Sequence, residues 1–201
     1  MFVLNSTSTD HPALRGVLSD IQSIAKQAVC FSEELVYVPG RTNLMRLPAS
    51  HAPPAIKELD KIVHENEVLR EVLSEWAAQN GLCIDQEVTR QAFQVIWLQG
   101  GGISSKEDRV SLYITLPRPK ERRSISINEA ASLEAEVEPV SQGFVQRTIT
   151  DGQKVGSTFK CHVGDIFILR GGEQLHLLGV GTIKPRDICA FATTFRATVL
   201  L

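Results

Sequence analysis

The chain has 201 residues, 43% of them apolar and 22% charged, which is enough length and apolar content for one domain with a substantial core. A net charge of −2 and a pI near 6.2 exclude a general electrostatic attraction to nucleic acid or to an anionic membrane. The opening "MFVLNSTSTDHP" turns polar after four residues, too soon for a secretory signal, and no stretch reaches the length of a membrane span, so a cytoplasmic protein is expected.

The first half reads as helical. Leu14, Val17, Leu18, Ile21, Ile24 and Ala28 recur at steps of three and four, behind a candidate Asp10 cap and Pro12. Residues "FSEELVYVPGRTNLMRLP" read as a short strand and loop closed by Pro48. A second, longer helix follows, with Ile56, Leu59, Val63, Leu69, Val72, Leu73 and Trp76 on its apolar face; Pro53 and Pro54 mark its start and Gly81 its end. His64, among Lys57, Lys61 and Glu65, is expected on the solvated face.

After Gly81 the pattern changes to period two. The strand candidates "AFQVIWLQ", "VSLYITL", "RSISI", "FVQRTI", "TFKCHV", "DIFILR", "QLHLLGV" and "DICAFATTF" are separated by Gly, Pro and Asp-Gly turn signals. A hairpin is expected around Asp151-Gly152, and Asn128 is a candidate cap for a short inserted helix within "NEAASLEAEV". The predicted fold is mainly β with N-terminal helices in one domain over 1–201: a helical part over 1–82 packed outside a jelly-roll or cupin-like barrel over 83–201. Cys30, Cys83, Cys161 and Cys189 are far apart and form no CxxC, so reduced and mostly buried thiols are expected instead of a zinc ribbon or a thioredoxin-type motif.

The segment "VGDIFILRGGEQLHLLGVGTIKPRDICAFATTF" carries the most functional information. A Gly-Asp turn feeds an apolar strand, an Arg-Gly-Gly turn ends it, His176 sits early in the next strand, and Arg186 follows ten residues later. This arrangement resembles the C-terminal part of the double-stranded β-helix in the iron(II)- and 2-oxoglutarate-dependent oxygenases. The resemblance covers roughly the last 110 residues and is strongest over the final 40 or so. It implies a distal iron-binding histidine at His176 and, at Arg186, a guanidinium forked onto the far carboxylate of 2-oxoglutarate.

The same resemblance implies a His-x-Asp pair entering an earlier strand, since such iron is held by two imidazoles and a carboxylate. Placing "RVSLYITL" on that pattern puts Asp108 at the carboxylate position and Lys106 where the first histidine belongs; a one-residue slip puts Ser105 and Glu107 there instead. Neither register supplies the imidazole. His11, His51 and His64 belong to the helical half, and His162 falls where the resemblance implies no ligand. A surface loop over Ser104 to Arg109 is the plain alternative. If the pocket placement holds, Lys106 and Asp108 pair where iron would sit, with Lys106 as a fixed cation, a proton-transfer group or a nucleophile.

Three readings of function follow. The first is a barrel without iron that performs cyclisation, isomerisation or dehydration on a small organic molecule, with Lys106, Asp108 and His176 catalytic and Arg186 binding a carboxylate. The second is an active oxygenase using iron(II) and 2-oxoglutarate, with Asp108 and His176 as the metal ligands. The third is a catalytically silent binding or scaffold protein. The expected partner is a small-molecule ligand, such as a carboxylate, with neither nucleic acid nor membrane.

Overall fold

A computed structural model describes residues 2–4, 11–85, 93–122, 141–148, 154–178 and 187–200. Helix α1 (Pro12–Gln27) starts at His11, whose Nδ1 accepts from the Leu14 N–H at 3.3 Å; Asp10 lies outside the described residues. The second predicted helix is two. Helices α2 (Pro54–Glu65) and α3 (Glu67–Gln79) meet at Asn66, which has extended backbone (φ −76°, ψ 115°) and caps α3 by accepting the Leu69 N–H at 3.1 Å. An asparagine that can satisfy a free helix-end amide favours such a break over continuation. No helix among the described residues is long and apolar enough to cross a membrane.

The strands are β1 (Phe2–Leu4), β2 (Val36–Tyr37), β3 (Leu44–Leu47), β4 (Leu82–Asp85), β5 (Gln94–Leu98), β6 (Gly102–Ser104), β7 (Arg109–Leu116), β8 (Ser141–Thr148), β9 (Lys154–Cys161), β10 (Ile166–Leu169), β11 (Gln174–Leu177) and β12 (Ile188–Val199). They form two antiparallel sheets. The larger runs β1-β10-β7-β12-β5-β3-β2, with β4 also on β12, and the smaller runs β6-β11-β8-β9. From β5 onward the chain passes repeatedly between the sheets, so that β5, β7, β10 and β12 fall in one while β6, β8, β9 and β11 fall in the other. That winding is the topology of a double-stranded β-helix. Among the described residues no strand of one sheet is paired with a strand of the other, so the assembly is two facing sheets, with no closed barrel. The expected strand over 123–127, the candidate helix near Asn128 and the Asp151-Gly152 turn lie outside the described residues. The flanking β8 and β9 pair from Ser141↔Cys161 to Thr148↔Lys154.

Period-two alternation gives the large sheet two cores. Val110, Leu112, Ile114 and Leu116 of β7 join Ile166, Ile168, Cys189 and Phe191 beneath the helices, against Leu18, Ile21, Ile56, Leu59 and Leu73. Tyr113, Phe167, Leu169, Ile96, Leu98 and Ala190 face the other way and meet Ile103, Leu175 and Leu177 of the small sheet. Among the described residues, α1, α2 and α3 therefore cover the outer face of the large sheet. His64 is not on a solvated face: its side chain is 12% exposed, its Nε2 lies 3.3 Å from Thr193 Oγ1 and 3.5 Å from Asp60 Oδ1, and its ring leans on Phe195. The apolar stripe of α2 is wide enough to carry this flanking position into the helix–sheet contact. Cys30, Cys161 and Cys189 are buried, Cys83 is exposed, and all four are free thiols.

Candidate functional site

The space between the sheets is apolar at one end and polar at the other. Phe167 anchors the apolar end, stacked on Tyr113 (centroids 4.8 Å apart, planes at 9°) and against Phe159 (5.7 Å). Beyond Tyr113 the interior opens into a pocket of about 240 Å³ lined by Arg41, Gln94, Ile96, Ile103, Tyr113 and Thr194, among others. Gln94, Ile96 and Thr194 reach it because β5 and β12 alternate, Ile103 closes it from β6, and the β2–β3 turn swings Arg41 across its rim. Gly40, at φ +75°, makes that turn possible, and the Arg41 guanidinium donates to the Gly102 carbonyl at 3.4 Å.

Hydroxyls line the approach from the β6–β7 turn. Ser105 Oγ donates to the Arg109 carbonyl at 3.1 Å and lies 2.9 Å from Ser111 Oγ, and Ser111 shares a face of β7 with Tyr113. Ser105 and Ser111 are buried. Burial pushes the Tyr113 phenol up to about 12, against the smaller opposing effect of the Ser111 hydrogen bond. It is therefore a neutral donor and acceptor at physiological pH. An alkaline linkage follows. With the folded value above the unfolded one, the stability contributed by neutral Tyr113 is complete below about pH 10 and is lost as pH rises through about 12. Spectrophotometric titration is expected to show a phenolate appearing only in that upper range, and the Tyr113→Phe protein to lack it.

The residues selected from sequence lie elsewhere. β7 begins only at Arg109, so Lys106, Glu107 and Asp108 occupy a turn, closed by the Arg109 N–H donating to the Lys106 carbonyl at 3.1 Å. Lys106 and Glu107 are exposed; the Asp108 side chain is 65% exposed, with Oδ1 3.7 Å from the Arg109 Nε. Turn side chains face water, so the pairing of Lys106 with Asp108 inside the sheets is not found. The inward position of this stretch belongs to Ser105, one member of the alternative register. His176 also points away from the interior. Leu175 and Leu177 are buried between the sheets, which turns Gln174 and His176 to the outer face of the small sheet, where His176 Nε2 lies 3.2 Å from Gln174 Oε1. Its ring rests over Gly102, where a Cβ would come within 2.9 Å of Nδ1. Lys106, Asp108 and His176 thus do not converge, and Arg186 lies outside the described residues.

An iron centre of the kind the resemblance implies needs inward imidazole and carboxylate donors. The inward groups here are the Ser105 and Ser111 hydroxyls, and among the described residues no three His, Cys, Asp or Glu side chains are grouped to hold a metal ion. The described residues do not fit that group. Sequence reasoning missed Arg41, Gln94, Ser111, Tyr113 and Thr194. The alternation Ser111-Tyr113-Thr115 opposite Leu112-Ile114-Leu116 carried a signal for the inward polar face of β7, whereas nothing local marks Arg41, which arrives through a turn.

No protein-family profile matches the chain, and no curated protein sequence is similar to it. Among solved structures, a prolyl-4-hydroxylase of Pseudomonas putida superposes with a TM-score of 0.45 at 13% identity, over 97% of this chain and 91% of that one. Oxalate decarboxylases of Bacillus subtilis and Lactobacillus farciminis superpose at 0.30 and 9% identity over 59% of this chain, which spans only 27% and 30% of their respective lengths. At these scores the architecture rests on the strand order itself: two facing antiparallel sheets wound as a double-stranded β-helix, with helices on one side.

Proposed function

We propose that the protein binds a small organic anion, without iron, in the pocket at the polar end of the inter-sheet space. The observation that supports this reading is the pocket's set of polar groups: a guanidinium at the rim and an amide, a phenol and a hydroxyl around an apolar floor. Arg41 offers a forked donor suited to a carboxylate, Gln94 and Thr194 offer directional hydrogen bonds, and Ile96 and Ile103 accept a short hydrocarbon part. None of the described lining groups is a base at neutral pH, because guanidinium stays protonated and Tyr113 holds its proton to about 12. This favours binding over proton transfer, and so favours the third of the three readings over cyclisation, isomerisation or dehydration by these groups.

The test is calorimetry with 2-oxoglutarate and succinate on chelator-treated protein. Binding is expected without metal and is expected to weaken roughly ten-fold or more in Arg41→Ala, the scale of one lost charge-assisted hydrogen bond. Titration of Arg186→Ala alongside decides whether that arginine shares the site. Affinity unchanged in Arg41→Ala, or absent in the wild type, refutes the proposal. Because Lys106 is exposed, Lys106→His is expected to leave iron affinity unchanged; a gain in affinity, or succinate formed from 2-oxoglutarate by the wild type with iron, would restore the oxygenase reading.

A further inference from the structure

Arg41 reaches the pocket from a turn, and a turn holds a guanidinium in place only if the turn is itself held. The β2–β3 turn has backbone hydrogen bonds of its own: the Val38 N–H donates to the Leu44 carbonyl at 2.9 Å, and the Arg41 N–H to the Val38 carbonyl at 2.9 Å. These set its shape but not its position at the pocket mouth. Arg41 is exposed, and a long side chain gives up rotamer freedom when it is fixed at one place.

Facing the turn is the loop Gly100–Gly102, which joins β5 to β6. The small sheet anchors this loop, because the Leu177 N–H donates to the Gly101 carbonyl at 2.9 Å and Gly102 pairs with His176 of β11. Gly100 and Gly101 have φ of +115° and +71°, values that glycine takes without strain. Asn43 ties the turn to the loop through its backbone and its side chain. Its main-chain carbonyl accepts the Gln99 N–H at 2.8 Å, and its Nδ2 donates to the Gly100 carbonyl. The approach is close enough that a Cβ on Gly101 would lie 2.5 Å from Asn43 Nδ2.

The two side-chain contacts of the turn are unequal. Asn43 is short and half-buried, so it is held at little cost in rotamer freedom. The Arg41 contact to the Gly102 carbonyl is exposed and long, at 3.4 Å, and an incoming carboxylate competes with it for the guanidinium. Asn43 itself does not line the pocket, whereas Arg41 does.

We infer that Asn43 is a positioning residue: by tying the β2–β3 turn to the Gly100–Gly102 loop it holds the Arg41 guanidinium over the pocket mouth, and it acts on a bound anion only through that guanidinium. The inference rests on the anion-binding reading of the pocket. Its physical content is preorganisation, since a turn already in place loses less freedom when the ligand arrives. Without the Asn43 amide the Gly100 carbonyl turns to water, and the turn leaves the loop with Arg41 on it.

The experiment combines calorimetry with succinate on the full chain and hydrogen exchange without ligand. Asn43→Ala is expected to weaken succinate binding roughly three- to ten-fold, the range that one net hydrogen bond spans. In the Arg41→Ala background the same substitution should change affinity by less than about two-fold, because the group it acts through is gone. In the ligand-free Asn43→Ala protein the Gln99 amide should exchange faster, while amides in the middle of β12 keep their wild-type rates. Gly101→Ala, which crowds Asn43 Nδ2 without removing a polar group, is expected to show the same effects and carries the comparison if Asn43→Ala does not fold. Fully additive losses in the double variant, with succinate still bound by the wild type, overturn the role of Asn43 and leave the anion reading standing. Unchanged Gln99 exchange in Asn43→Ala overturns it as well. A wild-type protein that does not bind succinate refutes the anion reading and the role of Asn43 with it.

Discussion

Replacing Phe167 by alanine is expected to lower stability by about 3–5 kcal/mol and to abolish ligand binding in the inter-sheet pocket together. The ring is 1% exposed and lies between Tyr113 and Phe159, where it spans the gap between the two sheets. Truncation removes the transfer energy of a whole aromatic side chain and leaves a cavity that two pleated sheets cannot collapse to fill. It also removes the surface on which Tyr113 lies flat, so the phenol loses its fixed position at the pocket floor. Denaturant unfolding checks the first effect and calorimetry the second. Phe167→Leu should recover much of the stability but little of the stacking. A loss below about 1 kcal/mol in the alanine protein would mean that the sheets are not packed through this ring.

The second large effect is at Gly164, in the turn between β9 and β10. Its φ is +88°, and a Cβ there would lie 2.5 Å from the Gln22 Cα in α1. The backbone strain and the steric clash are separate costs. A left-handed non-glycine residue costs about 1–2 kcal/mol, and pushing a helix backbone off a packed sheet adds about 1–3 more. Gly164→Ala is therefore expected to destabilise by about 2–5 kcal/mol, read as a shifted denaturant midpoint. Gly40→Ala serves as the control: its φ of +75° carries the strain, but open space surrounds its Cβ position, so it should lose only the smaller first part. Equal losses in the two proteins would show that α1 does not press on this turn.

Much of this architecture was legible from the switch in apolar spacing near Gly81, because burial on one face imposes period 3.6 on a helix and period two on a strand. The break at Asn66 was hidden: the apolar positions of α2 and α3 continue the same stripe, and only the capping geometry distinguishes two helices from one. β1, β2 and β6 have two or three residues each, too short for any periodicity to register. The candidate site was less legible. The position of Lys106 and Asp108 rested on a spacing borrowed from a resemblance, and in a strand or its entry one residue of slip exchanges the two faces. "QLHL" itself carried the better answer, since two leucines at alternate positions claim the interior and leave Gln174 and His176 outside. Arg41 was out of reach of local reasoning, because it meets Gln94 and Thr194 only after β3 has paired with β5 and β5 with β12.

The central place of β12 has a consequence for how the molecule is made. This strand, Ile188–Val199, pairs with β7 on one side and with β5 and β4 on the other, so it fills the middle of the large sheet although it follows every other strand in the chain. While the polypeptide is emerging from a ribosome, β7 with β10 and β5 with β3 can form only as separate halves, each with an unpaired edge facing the gap. The helices can gather on α1, but the apolar floor they cover is incomplete until Phe191 and Phe195 arrive. Assembly is thus dominated by contacts distant in sequence, which makes folding slow and leaves open β edges exposed for as long as synthesis of the last segment takes. A stall after β10 and before residue 188 would release two half-sheets with complementary edges, a species poised to pair with its neighbours instead of with itself.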